Sequence, residues 1–119
     1  MNKVDAQSEF LQNVAKLILA AVSLNIKLTG GELYRTQEQQ NIYLNTGKTQ
    51  VKHSRHMDRL AIDFNFFVQV EDEWKLSWNK KDVQRLGDFW EGLNPLNRWG
   101  GNWKTFQDIP HFERIEPLN

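Results

Sequence analysis

The feature that constrains the fold of this chain most strongly is a run at residues 60–70 in which bulky apolar side chains alternate with mostly small or polar ones. Residues 71–73 are polar and would form a turn, and residues 74–78 would return as a second strand, which predicts a hairpin. Because one face of this hairpin would be apolar, other elements must pack against it. Bulky apolar side chains occupy every second position of the run, as expected of a strand that buries one face: Leu60, Ile62, Phe64, Phe66 and Val68.

Three segments have the patterns of helices that could cover that face. Residues 6–24 carry apolar side chains at helical spacing, which predicts a long amphipathic helix. A capping-box pattern at residues 36–39 predicts a second helix over residues 37–45. Asn79 is positioned to cap a third helix, whose buried face would consist of Val83, Leu86, Trp90 and Leu93.

The remaining segments are short and irregular. Residues 29–31 would stop the first helix, residues 32–35 are predicted to be extended, and residues 46–56 to be mainly loop. Residues 96–115 would form short strands at most. With no internal repeat or linker, we expect one α+β domain over residues 1–119, built as a small antiparallel sheet with N-terminal and flanking helices.

Composition narrows the possible partners and sites. The 15 basic and 15 acidic side chains cancel, so no surface for nucleic acid is indicated. Without cysteine, any metal must be held by nitrogen and oxygen ligands. The most apolar N-terminal run contains Lys16 and Ser23, and it lacks the length of a membrane span and the layout of a signal peptide. We therefore expect no signal peptide and no stable membrane insertion. We also expect a monomer, although nothing in these patterns bears on the oligomeric state.

Two histidines and two aspartates form a candidate metal site. His56, Asp63 and His111 offer the imidazole and carboxylate ligands that a catalytic zinc takes when a fourth position stays open for water. His56 and Asp63 are seven residues apart and would lie on opposite faces of one straight strand, so His56 must sit in the preceding loop and turn back. Asp108 precedes His111 by three residues and, in a tight turn, could accept a proton from that water. This pattern predicts a zinc hydrolase.

The same residues carry a resemblance to a known family. Ser-x-His at 54–56, Ala-x-Asp at 61–63 and Asp-x-Pro-His-Phe-Glu at 108–113 resemble the M15 zinc peptidases. That family includes D-alanyl-D-alanine carboxypeptidases and dipeptidases and the L-alanyl-D-glutamate endolysins of bacteriophages. The resemblance covers about residues 34–113 and is strongest to small phage or prophage members. It implies a hedgehog/DD-peptidase-like fold, a Zn²⁺ cofactor and hydrolysis of an amide bond in the stem peptide of peptidoglycan.

The resemblance also assigns roles to individual residues. Asp108 would be the general base and later the general acid, Arg35 would stabilise the oxyanion or hold a substrate carboxylate, and Ser54 would bind substrate. Arg59 stands where many members have glycine, which bears on the loop backbone and the shape of the cleft but not on the ligands. An endolysin-like enzyme would be made in the host cytoplasm and act on the cell wall after release. The implied zinc ligands are His56, Asp63 and His111.

Several of these residues have simpler interpretations. Asp108 could be a turn residue before Pro110, and Arg35 could be a solvated side chain at a helix start. Ser54 could merely fix the loop backbone. Glu113 could orient His111, and an ion pair on the last strand would explain it equally well.

Two further interpretations concern function and the aromatic residues. A non-catalytic, zinc-stabilised cell-wall-binding module of the same fold is the main alternative, although a closed structural zinc site usually takes four protein ligands and needs no base such as Asp108. A D-alanyl-D-alanine carboxypeptidase is the alternative to an endopeptidase. We assign His53 to the loop surface or the surroundings of the site, and most of the five tryptophans to the core, although they could form a platform that stacks on sugars.

Overall fold

A computed structural model describes residues 1–117, so the last two positions of the predicted domain, Leu118 and Asn119, lie outside the described residues. The architecture is α+β, as the sequence predicts. The elements follow in the order α1 (Lys3–Ser23), β1 (Lys27–Gly30), α2 (Gln37–Asn45), η1 (Arg55–Asp58), β2 (Ala61–Val70), β3 (Glu73–Leu76), α3 (Lys80–Leu93), β4 (Asn97–Trp99), η2 (Gly100–Asn102) and β5 (His111–Arg114), where η marks a short 3-10 helix.

The sheet is antiparallel and is organised around the long strand β2. One edge of β2 pairs with β1, and the other edge pairs with β5 along its first residues and with β3 along its last. Strand β4 then pairs with β5, so the path across the sheet is β1-β2-β5-β4. In the β2–β5 register, Asp63 lies directly opposite His111. The sheet therefore brings a residue from the middle of the chain beside one from its C-terminal part.

Helices α1 and α3 supply most of the rest of the core. Their buried residues join those of β2, β4 and β5 in one cluster, with Phe112 among four aromatic neighbours. Full burial of one such side chain contributes about 1.5–3 kcal/mol. Within residues 1–117, no helix is long and apolar enough to cross a membrane. The fully buried aromatic rings of the cluster are Phe10, Phe66, Trp90, Trp99 and Phe112.

The three helices and the central hairpin were predicted correctly, but β1 was not. The sequence analysis treated residues 29–31 as a breaker and expected extended chain at 32–35, whereas the strand is Lys27–Gly30 and residues 31–36 form none. The four residues of β1 are mostly exposed, so the strand leaves no apolar alternation in the sequence. Its hydrogen bonding extends slightly further, because Asp63 N–H donates to the Glu32 carbonyl at 2.9 Å.

The assignment of most tryptophans to the core was also wrong. Trp90 and Trp99 are fully buried, whereas Trp78 is 47% exposed and Trp74 and Trp103 are half-buried. Composition alone cannot separate these cases, since an indole ring covers apolar surface whether or not it is enclosed. Trp103 lies next to the candidate site, with its ring centroid 5.2 Å from that of His111.

Candidate metal centre

Three side chains predicted as metal ligands converge at the start of β2. His56 Nε2 lies 3.3 Å from Asp63 Oδ1, and His111 Nδ1 lies 3.2 Å from the same oxygen. One potential ligand atom from each residue lies within 4.8 Å of the other two. The histidine side chains are almost fully buried, whereas 26% of the Asp63 side chain is exposed. The structure thus brings together the three predicted residues, and their role as zinc ligands stays a prediction.

His56 reaches this position through the 3-10 helix η1, not through a simple loop. Ser54 caps η1, because its Oγ accepts the His56 backbone N–H at 3.2 Å. At the other end, Arg59 adopts a left-handed conformation with φ 58° and ψ 36°, which turns the chain into β2. His56 therefore turns back toward Asp63, as its sequence separation required. Ser54 is buried in this capping role, and its predicted contact with substrate stays a prediction.

The left-handed backbone at Arg59 explains why glycine suits this position. A residue with a Cβ loses about 1–2 kcal/mol in this region of backbone space, whereas glycine does not. Arg59 adopts this conformation although it carries a Cβ, and its guanidinium carbon lies 4.0 Å from the centroid of the Tyr34 ring. A cation–π contact at an exposed site offsets about 0.5–1 kcal/mol of that cost.

Hydrogen bonds behind the two histidines select which nitrogen faces Asp63. His56 Nδ1 lies 2.9 Å from the Leu33 carbonyl, and because a carbonyl only accepts, Nδ1 carries the proton. His111 Nε2 lies 2.6 Å from Glu113 Oε1 and donates to it. The geometry therefore favours the orienting role of Glu113. This arrangement leaves His56 Nε2 and His111 Nδ1 available as ligand atoms.

The donor set fits a divalent cation of the zinc type. His56 Nε2 is buried and has no hydrogen-bond partner within residues 1–117. In neutral His56 its lone pair faces a carboxylate oxygen, which is unfavourable unless a cation or proton lies between them. Two imidazoles and one carboxylate match the ligand sets of catalytic zinc sites, which use three protein ligands and leave one position open.

Electrostatics without a metal already couple Asp63 to His111. Burial opposes ionisation of Asp63, but the contacts with His111 and His56 outweigh it and hold the pKa of the carboxyl well below its usual range. Burial also disfavours a charged His111, yet its hydrogen bonds to Asp63 and Glu113 raise the pKa of His111 to about 9. Metal-free His111 is therefore protonated at neutral pH, on the same nitrogen that would bind a metal.

Zinc binding should consequently release about one proton from His111 at pH 7. Below pH 9 the metal must displace this proton, so the apparent affinity should rise by up to tenfold per pH unit and level off above it. Calorimetric titration with zinc in buffers of different ionisation enthalpy measures the number of protons released. Zinc binding at pH 7 without proton release would contradict the combination of a protonated His111 in the metal-free protein and His111 Nδ1 as a ligand.

Asp108 lies beside this centre in the turn that precedes β5. The turn is closed by His111 N–H, which donates to the Asp108 carbonyl at 3.2 Å, while Asp108 N–H donates to the Gly100 carbonyl at 3.0 Å. A Cβ at Gly100 would lie 2.3 Å from the Asp108 carbonyl oxygen, so only glycine permits this approach. Burial raises the pKa of the Asp108 carboxyl above its usual range, although the nearby His111 opposes the shift.

No residue within 1–117 forms a hydrogen bond with the Asp108 carboxylate. Its oxygens are available to the same cleft that the three candidate ligands line. A carboxylate with a raised pKa and free lone pairs is suited to accept a proton and return it. The turn interpretation of Asp108 is correct for its backbone, and its side chain remains free for chemistry.

Arg35 also lines the cleft. Its guanidinium pairs with Glu32 through Nε and Nη2, and Nη1 donates to Gln40 Oε1 at 3.0 Å. The Tyr43 ring lies 4.7 Å from the guanidinium carbon, measured to the ring centroid. Arginine has five N–H donors, so two remain for a ligand. Arg35 is therefore a held side chain of the cleft wall and not a freely solvated one, and its role toward substrate stays a prediction.

The cleft has a volume of about 620 Å³, and residues that the sequence analysis did not select hold its side chains in place. Glu32 and Gln40 hold Arg35, and the Leu33 carbonyl orients His56. These contacts depend on tertiary structure, and no local spacing would have revealed them. His53, assigned to the loop surface or the surroundings of the site, lies at the cleft and contacts both carboxylate oxygens of Asp58 at 2.9 Å.

The chain is similar in sequence to known peptidases. A family model of the M15 peptidases, described as D-alanyl-D-alanine carboxypeptidase, matches residues 46–114. The L-alanyl-D-glutamate peptidase of Listeria phage A118 is 31% identical over 101 residues, which are 82% of this chain and 34% of that protein. The chain thus spans about a third of the length of this curated relative.

A solved structure shares the fold. The crystal structure of the Serratia marcescens L-Ala D-Glu endopeptidase ChiX matches with a TM-score of 0.73 at 20% identity, covering 91% of this chain and 79% of that one. At this level of identity the match concerns the fold alone. It confirms the predicted α+β peptidase-type architecture.

Proposed function

Because the chain belongs to the M15 peptidase family, we propose that it is a zinc-dependent peptidase that hydrolyses an amide bond in the stem peptides of peptidoglycan. The observation that carries the proposal is the convergence of His56 Nε2, Asp63 Oδ1 and His111 Nδ1 in a cleft that also holds Asp108. Residues 1–119 would form one catalytic domain.

His56, Asp63 and His111 would hold the zinc. When bound, zinc would supply a Lewis acid that polarises the scissile carbonyl and makes a water molecule more acidic. The remaining work falls to the side chains of the cleft. Leu33 and Glu113 keep the two imidazoles in the required tautomers.

Asp108 would be the proton carrier of the reaction. Its carboxylate would accept a proton from the attacking water and donate it to the nitrogen of the leaving amine. In the metal-free protein, burial raises the pKa of the Asp108 carboxyl above its usual range, which makes it a stronger base than an ordinary aspartate. Arg35, held by Glu32 and Gln40, would offer its remaining N–H groups to the negative charge that develops on the carbonyl oxygen.

Among peptidoglycan bonds, we infer that the bond cut is that between L-alanine and D-glutamate. The phage relative, which shares 31% identity with this chain, is named for that bond. An endolysin-like role follows as part of the proposal: synthesis in the host cytoplasm and action on the cell wall after release. The non-catalytic binding module is disfavoured by the free carboxylate of Asp108, which a structural metal site would not require.

Product analysis on defined muropeptides tests which bond is cut. We expect mass spectrometry to show cleavage between L-alanine and D-glutamate, with a new amino group on the glutamyl fragment. The D-alanyl-D-alanine terminus of the same muropeptide serves as the internal comparison and should remain intact. Release of free D-alanine with an intact L-alanyl-D-glutamyl bond would instead assign a carboxypeptidase.

A further inference from the structure

Lys48 is a cation at the rim of the cleft for which the proposed mechanism has no use. It is exposed and lines the same cleft as the candidate metal ligands and Asp108. Within residues 1–117, no carboxylate oxygen lies within 4.0 Å of its Nζ. An ammonium group with no protein counter-ion at the edge of a substrate cleft is available to a negatively charged ligand.

Apart from Asp108, the other charged side chains of the cleft have partners of opposite charge within residues 1–117. Glu32 pairs with Arg35, Asp63 faces the two histidines, and Glu113 accepts from His111. Among the basic residues, His53 and Arg55 both contact Asp58, and Arg55 also donates to the Glu116 carbonyl at 3.0 Å. Lys48 therefore differs from its basic neighbours, since it has no acidic partner within the described part of the chain.

The backbone fixes Lys48 close to Arg35. Gly47 takes a left-handed φ of 78° just after α2, and Lys48 N–H then donates to the Tyr43 carbonyl at 2.9 Å. Lys48 Nζ lies 5.4 Å from the centroid of the Tyr43 ring, and the Arg35 guanidinium carbon lies 4.7 Å from the same centroid. Glu32 balances the charge of Arg35 beside this ring, so the uncompensated positive charge is that of Lys48, which has no acidic partner within residues 1–117.

We propose that Lys48 is a specificity-determining residue that binds the free carboxylate of an acidic residue on the amine side of the scissile bond. This inference rests on the proposed function. A glutamyl residue that joins a peptide chain through one carboxyl group keeps the other one free. In an L-alanyl-D-glutamyl substrate, that carboxylate belongs to the leaving amine, and Lys48, a cation without an acidic partner within residues 1–117, could receive it.

Two peptides test the proposal if they differ only at this group, one with a free glutamyl carboxylate and the other with a carboxamide. We expect the zinc-loaded wild-type protein to prefer the carboxylate peptide by about tenfold in kcat/KM, mainly through KM. Lys48→Gln should reduce the preference to within about twofold, and Lys48→Arg should retain most of it. Higher ionic strength should weaken the preference of every protein that keeps a cation at position 48, and it should have little effect on Lys48→Gln.

Lys52→Gln provides the matched control. Lys52 is exposed in the same loop but does not line the cleft, so its loss changes the net charge equally without touching the proposed contact. Its preference should match that of the wild-type protein. An undiminished preference in Lys48→Gln, or an equal loss in Lys52→Gln, would overturn the assignment.

A binding experiment separates failure of the proposed function from failure of the Lys48 assignment. If the wild-type protein cleaves neither peptide, binding of the two peptides to the zinc-loaded protein, measured by calorimetry, still decides the role of Lys48. Tighter binding of the carboxylate peptide that is lost in Lys48→Gln would support the contact. Equal binding of both peptides by the wild-type protein would overturn it.

Discussion

Replacement of Asp108 by asparagine is expected to reduce kcat/KM by about 10³-fold while zinc content and thermal stability remain close to those of the wild-type protein. Asparagine preserves the size of the side chain but cannot accept a proton, and general acid–base catalysis contributes about 10²–10⁴-fold to such reactions. The carboxylate forms no hydrogen bond within residues 1–117, so its removal leaves no buried partner unsatisfied. The loss should therefore appear in the chemical step.

Asp72→Asn is the matched control for this experiment. Asp72 is an exposed aspartate in the β2–β3 turn, where its positive φ of 65° also suits asparagine. This variant should retain full activity on purified peptidoglycan. An Asp108→Asn protein with nearly wild-type activity would show that the proton is carried by another group and that the proposed mechanism is wrong.

The second large effect is expected when His56 or His111 is removed, because the protein should then lose its zinc. His56→Ala and His111→Ala each leave two of the three candidate ligands, so we expect loss of stoichiometric zinc and a fall in activity to background. His111→Ala also leaves Asp63 and Glu113 without the partner that they share. This variant should therefore be the less stable of the two when both are free of metal.

The third histidine provides a control of the same residue type. His53 lies at the same cleft but contacts Asp58, so His53→Ala should keep about one zinc per chain and most of its activity. Elemental analysis after dialysis, together with thermal unfolding of each variant, measures both effects. Full zinc content in His111→Ala, or loss of zinc in His53→Ala, would contradict the ligand assignment.

Residues with strong local patterns were predictable from the sequence. The alternation at residues 60–70 identified β2, and the caps at Thr36 and Asn79 marked the first residues of α2 and α3. The odd separation between His56 and Asp63 correctly required a turn between them, which η1 and the left-handed Arg59 provide. In these cases a few neighbouring residues determine the backbone conformation, so the pattern can be recognised in the sequence without knowledge of the tertiary structure.

Features that depend on distant parts of the chain were not predictable. Strand β1 is short and mostly exposed, and its pairing with β2 leaves no periodic signal. The tautomer of His56 depends on the Leu33 carbonyl, a backbone group whose position follows only from the fold. Likewise, Lys48 was part of an ordinary polar turn in the sequence. Its significance arises because its basic neighbours have acidic partners, whereas Lys48 has none within residues 1–117.

The most direct test of the central claim is the zinc content of the untagged protein, measured together with hydrolysis of purified peptidoglycan before chelation, after chelation and after zinc is restored. We predict about one zinc per chain and release of new amino groups that is lost on chelation and recovered with zinc. Stoichiometric zinc without hydrolysis would favour the binding-module alternative. A protein that binds no zinc at the cleft of His56, Asp63 and His111 would contradict the account of this site.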